Sequence, residues 1–141
     1  MPLDPARVAD TLAWLEKAAI DLRSGRVDLD ADPPILGDAL FHCQQAVEKT
    51  LKALLTWHDQ PFRKTHDLVE LGVKCASLDP GLEDLLREAA PLTEYAWKFR
   101  YPGDVPDPSQ QETDAALAIA TRVFEAVTAR LPEETNPDKS E

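Results

Sequence analysis

The 141-residue chain has no apolar run long enough to cross a bilayer. Its opening MPLDPARVADT carries an early acid and no apolar core of the kind a secretory signal needs. A cytoplasmic protein is expected. Cysteine is scarce: Cys43 and Cys75 sit far apart inside helical patterns, which excludes a disulfide framework and reads as two small buried hydrophobes. There are three histidines and no CxxC or HExxH, so no structural zinc site is expected. The acids Glu83, Asp84 and Glu88 lack the Glu-x-x-His pairs of carboxylate-bundle metal centres, and no metal or cofactor is expected. The loops GxxxxGK[ST], GxGxxG and GxSxG are also absent.

Positive charge is in deficit as well. Lys and Arg number 15 against 26 acids, a net charge of −11. Neutralising phosphates needs the opposite excess, which argues against free, non-specific nucleic-acid binding. The last ten residues, with four acids and one lysine, carry −3 of the total and read as a disordered acidic tail (132–141). Six basic residues nevertheless fall in the middle of the chain: Lys49, Lys52, Arg63, Lys64, Lys98 and Arg100. Only the fold decides whether they meet.

What the sequence does have is helical periodicity, and enough of it for one domain over residues 1–131. Val8, Leu12, Leu15, Ala19 and Leu22 step by four and three, which predicts a helix over 5–24 capped by Asp4 and broken near Gly25. Leu36, Leu40, Cys43, Val47, Leu51 and Leu54 predict a second helix from about Pro34 to Trp57. A third follows a Thr65 or Asp67 cap, with Leu68, Leu71, Cys75 and Leu78 as its seam. A fourth starts at Asp79–Pro80 and runs through Leu92 and Ala96 to Phe99, kinked at Pro91. After the proline-rich loop 101–108, Ser109 with Glu112 matches a capping box, and Leu117, Ala120, Phe124, Val127 and Leu131 mark a fifth helix that Pro132 ends. Nothing alternates like a strand. The expectation is an all-α, up-and-down bundle of four to five helices whose seams bury one another, at about 25 cal/mol per Å² of apolar area. Trp14, Trp57 and Trp97 read as core or interface anchors.

The second helix carries more polarity than a core helix needs. His42, Gln45, Lys49 and Lys52 fall in one stripe beside its apolar seam, and Glu48 and Lys52 form an i, i+4 pair. The stripe reads either as a solvated face with an ion pair or as a binding groove or dimer surface.

The same stretch, FHCQQAVEKTLKALL (41–55), resembles the signature helix of HEPN domains through Phe41, His42, Gln45, Ala46, Glu48, Lys49, Leu51 and Lys52. KTHDLVEL (64–71) resembles the Thr-His-Asp-Leu element of that family, and FRYPGD (99–104) its Arg-Tyr-Pro element before the last helix. The resemblance covers residues 5–131. It implies a helical bundle that dimerises around a cleft, a link to nucleotide binding, and in many members a minimal nucleotidyltransferase partner, some pairs acting as toxin and antitoxin. Active members resemble one another in an Arg-x4-6-His motif and cleave RNA without metal.

Here the sequence departs from the family. Arg100 stands where the motif arginine belongs, but the partner positions are Val105, Pro106 and Asp107, and no arginine has a histidine at the right spacing. A 2′-OH needs a base and a phosphorane needs a cation; Arg100 supplies only the second. The expectation is therefore a non-catalytic homodimeric HEPN module whose ligand, a nucleotide or a nucleotidyltransferase, meets Glu48, Lys49, Lys52, His66, Arg100 and Tyr101. The alternative is a ribonuclease toxin acting on RNA through Arg100 with His66 as an unusual base. His42 is a second such candidate, and both histidines also read as hydrogen-bonding residues with a packing role.

Overall fold

The computed structural model of the protein describes residues 2–103 and 105–139. Among the described residues, five α-helices fold into an up-and-down bundle and no residue is in a strand. The first helix, α1 (Pro5–Asp30), starts on an Asp4 cap whose carboxylate accepts the Ala6 N–H at 3.0 Å, with Pro5 in the first turn. It does not break at Gly25, as the sequence suggested. Gly25 is buried where α1 meets α2 and α5, and a Cβ there would lie 3.6 Å from both the Ala39 carbonyl and Leu117 Cδ1. Packing holds the helix through a weak helix former. The Asp28 carbonyl then accepts the N–H groups of Ala31 and Ile35 at 3.4 and 2.9 Å, turning the chain through Pro33 and Pro34.

The central helix is α2 (Leu36–Trp57), which packs on α1, α5 and α3. It ends in a Schellman motif: Gln60 N–H bonds the Leu55 carbonyl at 2.9 Å, Asp59 N–H bonds that of Thr56 at 3.1 Å, and Asp59 takes φ = 54°. The next helix, α3 (Leu68–Leu78), is capped by Asp67, whose carboxylate accepts from Val69 N–H at 2.9 Å. Asp79 accepts from Gly81 N–H and opens a 3₁₀ turn (Pro80–Leu82) that leads into α4 (Glu83–Ala89).

A kinked α-helix reaching Phe99 was expected. Instead α4 stops at Ala89, and Ala90–Ala96 winds as a 3₁₀ segment. Pro91 has no N–H to give and its ring crowds the preceding turn, so the chain tightens rather than bends. The last α-helix is α5 (Gln110–Thr128). Ser109 Oγ accepts the Glu112 N–H at 3.0 Å, one half of a capping box. The Glu112 side chain has another partner: it accepts the Tyr95 hydroxyl at 2.6 Å, tying the 3₁₀ segment to α5. The buried face of α5 is Thr113, Ala116, Ala120, Val123 and Val127, so Leu117 and Phe124 of the predicted seam lie at its edge.

The acidic tail also departs from expectation. Residues 133–135 and 137–139 form two 3₁₀ turns against α1, with Leu131 and Thr135 buried. Only Ser140 and Glu141 of the tail lie outside the described residues. Both cysteines are buried, and burial pushes each thiol up to about 12, so neither is a thiolate at neutral pH. Trp14 and Trp57 pack at the core margin, whereas Trp97 is exposed. Among the described residues no helix is long and apolar enough to cross a membrane.

Two glycines with opposite surroundings test this packing. Gly25→Ala meets only ordinary contacts and gains helix propensity, so thermal unfolding should show a stabilisation of about 0.5–1 kcal/mol. Gly37→Ala places its Cβ 3.0 Å from Phe99 Cβ, an atom that moves only with the backbone, and should destabilise despite the same propensity gain. Equal effects of the two substitutions would contradict this assignment.

Candidate functional site

The polar residues of α2 do not form a wet face. Glu48 is 4% exposed and Lys52 7%, and Lys52 Nζ donates to Glu48 Oε2 at 2.9 Å. Two further donors reach Glu48 Oε1: His66 Nδ1 at 2.7 Å and Gln44 Nε2 at 3.2 Å. Gln44 also donates to the His66 carbonyl at 3.0 Å and accepts from Gln45 at 2.7 Å. Above Lys52 lie the rings of Trp14 and Phe62, 5.5 and 5.7 Å from its ammonium. Burial by itself would raise the Glu48 carboxyl. The hydrogen bonds from His66, Lys52 and Gln44, with the Lys52 charge, outweigh it and hold the group below its ordinary value. An ionised Glu48 only accepts, so Nδ1 of His66 carries the proton and Nε2 is left toward solvent, on a side chain 65% exposed.

A second cluster sits one turn earlier. Asp21 of α1 is buried and accepts twice, from His42 Nδ1 at 2.8 Å and from Lys49 Nζ at 2.7 Å. His42 Nε2 lies 3.3 Å from Asp38 Oδ2. Asp28 completes the group; burial first, then the Asp38 hydrogen bond and charge, push its carboxyl up to about 6, while His42 opposes the shift. Asp28, Asp38 and His42 each offer a donor atom within 4.8 Å of one another, the one group among the described residues that could hold a metal ion. Asp38 and His42 stand four residues apart on α2, but the third ligand, Asp28, comes from α1, and only the packing of the two helices brings it in. Neither Asp21 nor Asp28 stood out in the sequence, and Asp28 lay beyond the expected end of the first helix.

Arg100 and Tyr101 stand elsewhere. They line an open cleft of about 500 Å³ with Gly37, Asp38, Phe41, Lys98 and Phe99. The Arg100 guanidinium lies 3.9 Å from the centre of the Phe41 ring, and Tyr101 is 76% exposed. Lys98 is tied to Glu94 at 2.9 Å. No histidine lines this cleft, and neither do Glu48, Lys49 or Lys52. The six central basic residues do not make one patch: Lys49 pairs with Asp21, Lys52 with Glu48, and Arg63 with Glu70 at 2.8 Å.

The Glu48 cluster makes a pH-dependent prediction. A carboxyl held below its ordinary value of 4.5 contributes stability that is complete above that pH and is lost as pH falls through the folded-state value. Glu48→Gln should therefore cost about 3 kcal/mol at pH 7, where it strands Lys52 in the core. The gap to the native chain should close on titrating below pH 4.5 in urea unfolding experiments. A cost independent of pH would show that the charge on Glu48 does not matter.

Comparison with known proteins agrees with this architecture. The HEPN domain profile matches residues 11–131. The crystal structure of TT1696 from Thermus thermophilus is similar at 30% identity and a TM-score of 0.70, over 89% of this chain and 98% of that one. No curated protein matches. With the profile spanning α1 to the end of α5 and the bundle matching, the chain belongs to the HEPN domain family.

Proposed function

We propose that this HEPN protein is a non-catalytic binding module that works as a homodimer and holds a nucleotide in the Arg100–Tyr101 cleft. The observation that carries the reading is the cleft itself: a guanidinium stacked on Phe41, with no carboxylate paired to it among the described residues, beside an exposed tyrosine and without any histidine. Arg100 offers a fork of donors for phosphate and Tyr101 a face for a base. A bound nucleotide with no base beside it is recognised rather than cleaved. Glu48, Lys52 and His66 then act at a distance, by fixing the elements that carry the cleft. An associated minimal nucleotidyltransferase is the protein partner this reading favours, since its substrate is the ligand the cleft suits. Exposed Ile35 and Val105 line the cleft, and exposed Trp97 precedes its Lys98; together they supply apolar area for a second copy to cover.

The ribonuclease alternative retains one supporting feature. His66, oriented by Glu48 with Nε2 toward solvent, has the form of a general base. The two readings separate in one experiment. The purified protein is titrated with ATP and AMP, and incubated in parallel with mixed RNA in EDTA, beside Arg100→Ala and His66→Gln. The expected result is nucleotide binding that Arg100→Ala weakens about tenfold or more, with RNA intact throughout. RNA cleavage abolished by either substitution would replace the binding module with a metal-independent nuclease. In the same preparations, light scattering should give a dimer that Trp97→Glu converts to monomer.

A further inference from the structure

We propose that Asp28, Asp38 and His42 form a binding site for one divalent transition-metal ion, zinc being the ion the donor set fits best. The argument starts from Asp21. Its two oxygens accept from His42 and from Lys49, so the carboxylate is ionised and Nδ1 of His42 carries a proton. That fixes the tautomer of the neutral ring and turns the Nε2 lone pair toward Asp38 Oδ2, 3.3 Å away. Two acceptors do not approach each other unaided. Something positive belongs between them.

A proton on Nε2 would answer that contact, but it leaves Asp28 unexplained. Asp28 is only 9% exposed, faces Asp38 and His42, and its Oδ2 atom has no hydrogen-bond donor. An orphan oxygen at this depth is destabilising, and more so when charged. A hydrogen bond from His42 Nε2 serves Asp38 alone, and Asp28 Oδ2 still meets no donor. A metal ion satisfies all of these atoms at once.

The Asp38–His42 edge of the site suits zinc, and Asp28, with its ligand atom within 4.8 Å of both, closes in on the ion. Ligand atoms about 2.0–2.1 Å from a tetrahedral ion stand about 3.3–3.4 Å apart, which is the Asp38–His42 separation. One imidazole and two carboxylates are also donors zinc accepts, while magnesium prefers oxygen alone and an octahedron. Asp21 plays the outer part of a carboxylate–histidine–metal arrangement. Asp38, half-exposed and on the wall of the Arg100 cleft, leaves the fourth position to water.

The test uses the full chain, stripped with EDTA and dialysed. It is titrated calorimetrically with Zn²⁺, Mn²⁺ and Mg²⁺ alone, and with Co²⁺ for its visible absorption. The expected result is one Zn²⁺ per chain with a rise in Tm, intense Co²⁺ bands of a tetrahedral site, and weak or no response to Mg²⁺. Asp28→Asn and Asp38→Asn should each lose at least tenfold in affinity while keeping native helicity by circular dichroism. Asp21→Asn, a positioning change, should weaken binding about tenfold to a hundredfold. His58→Gln, at an exposed helix end, should change nothing. Binding lost in His58→Gln but kept in Asp38→Asn would mark an adventitious surface ion and overturn the proposal. So would an absence of stoichiometric Zn²⁺ binding by the folded chain, and an Asp28→Asn variant more stable than the native chain would then show the cluster to be held by a proton or a water. None of these readouts depends on nucleotide binding, so the metal site and the binding-module reading stand or fall separately.

Discussion

A single buried carboxylate organises the middle of this bundle. Glu48 sits in α2 among leucines, where an unpaired charge would be untenable, and three side chains from two segments supply its donors. Lys52 comes from the same helix one turn on. His66 comes from the connection before α3 and brings that connection down onto α2. The next residues extend the chain of dependence: Asp67 caps α3, and Leu68 N–H donates to Thr93 Oγ1 of the 3₁₀ segment at 3.1 Å. That segment leads directly to Lys98, Phe99 and Arg100. The position of the cleft therefore rests on a hydrogen-bond relay that begins at Glu48, although Glu48 does not line the cleft.

This gives physical content to the residues that mark the family. Ala46 is fully buried where a larger side chain would separate α2 from its neighbours. Glu48 and Lys52 are there to be paired, and His66 and Asp67 to fix the start of α3. A buried ionic cluster adds little net stability compared with well-packed apolar residues, but it is intolerant of alternatives, because any shifted register leaves charges unmatched. In this chain it serves to fix one arrangement of α2, α3 and the 3₁₀ segment.

The second cluster contrasts with the first. Around Glu48 every acceptor has a donor, and the carboxyl stays ionised below its usual range. Around Asp28 the acceptors outnumber the donors, and burial with Asp38 beside it pushes the carboxyl up to about 6. Both clusters draw on α2, through Gln44, Glu48 and Lys52 in one and Asp38, His42 and Lys49 in the other. One is a finished structural element. The other leaves Asp28 Oδ2 without a donor.

The sequence by itself determined the helices. Apolar residues at three- and four-residue steps placed α2, α3 and α5, and Asp4, Asp67, Asp79 and Ser109 marked the starts of α1, α3, the 3₁₀ turn before α4 and α5, because periodicity and capping are local properties. It also supplied the family through three short motifs. Where local rules failed, a distant contact had won: α1 runs through Gly25 because α2 and α5 clasp it, Glu112 leaves its capping box for Tyr95, and the acidic tail folds back on α1. Only the tertiary structure separated the polar stripe from Arg100 and Tyr101, buried Glu48 and Lys52, and brought Asp21 and Asp28 of α1 to Asp38 and His42 of α2. A polar residue on a helix has the same sequence signature whether it faces water or a partner across the bundle. The difference lies in what packs opposite, and that is fixed only when the helices meet.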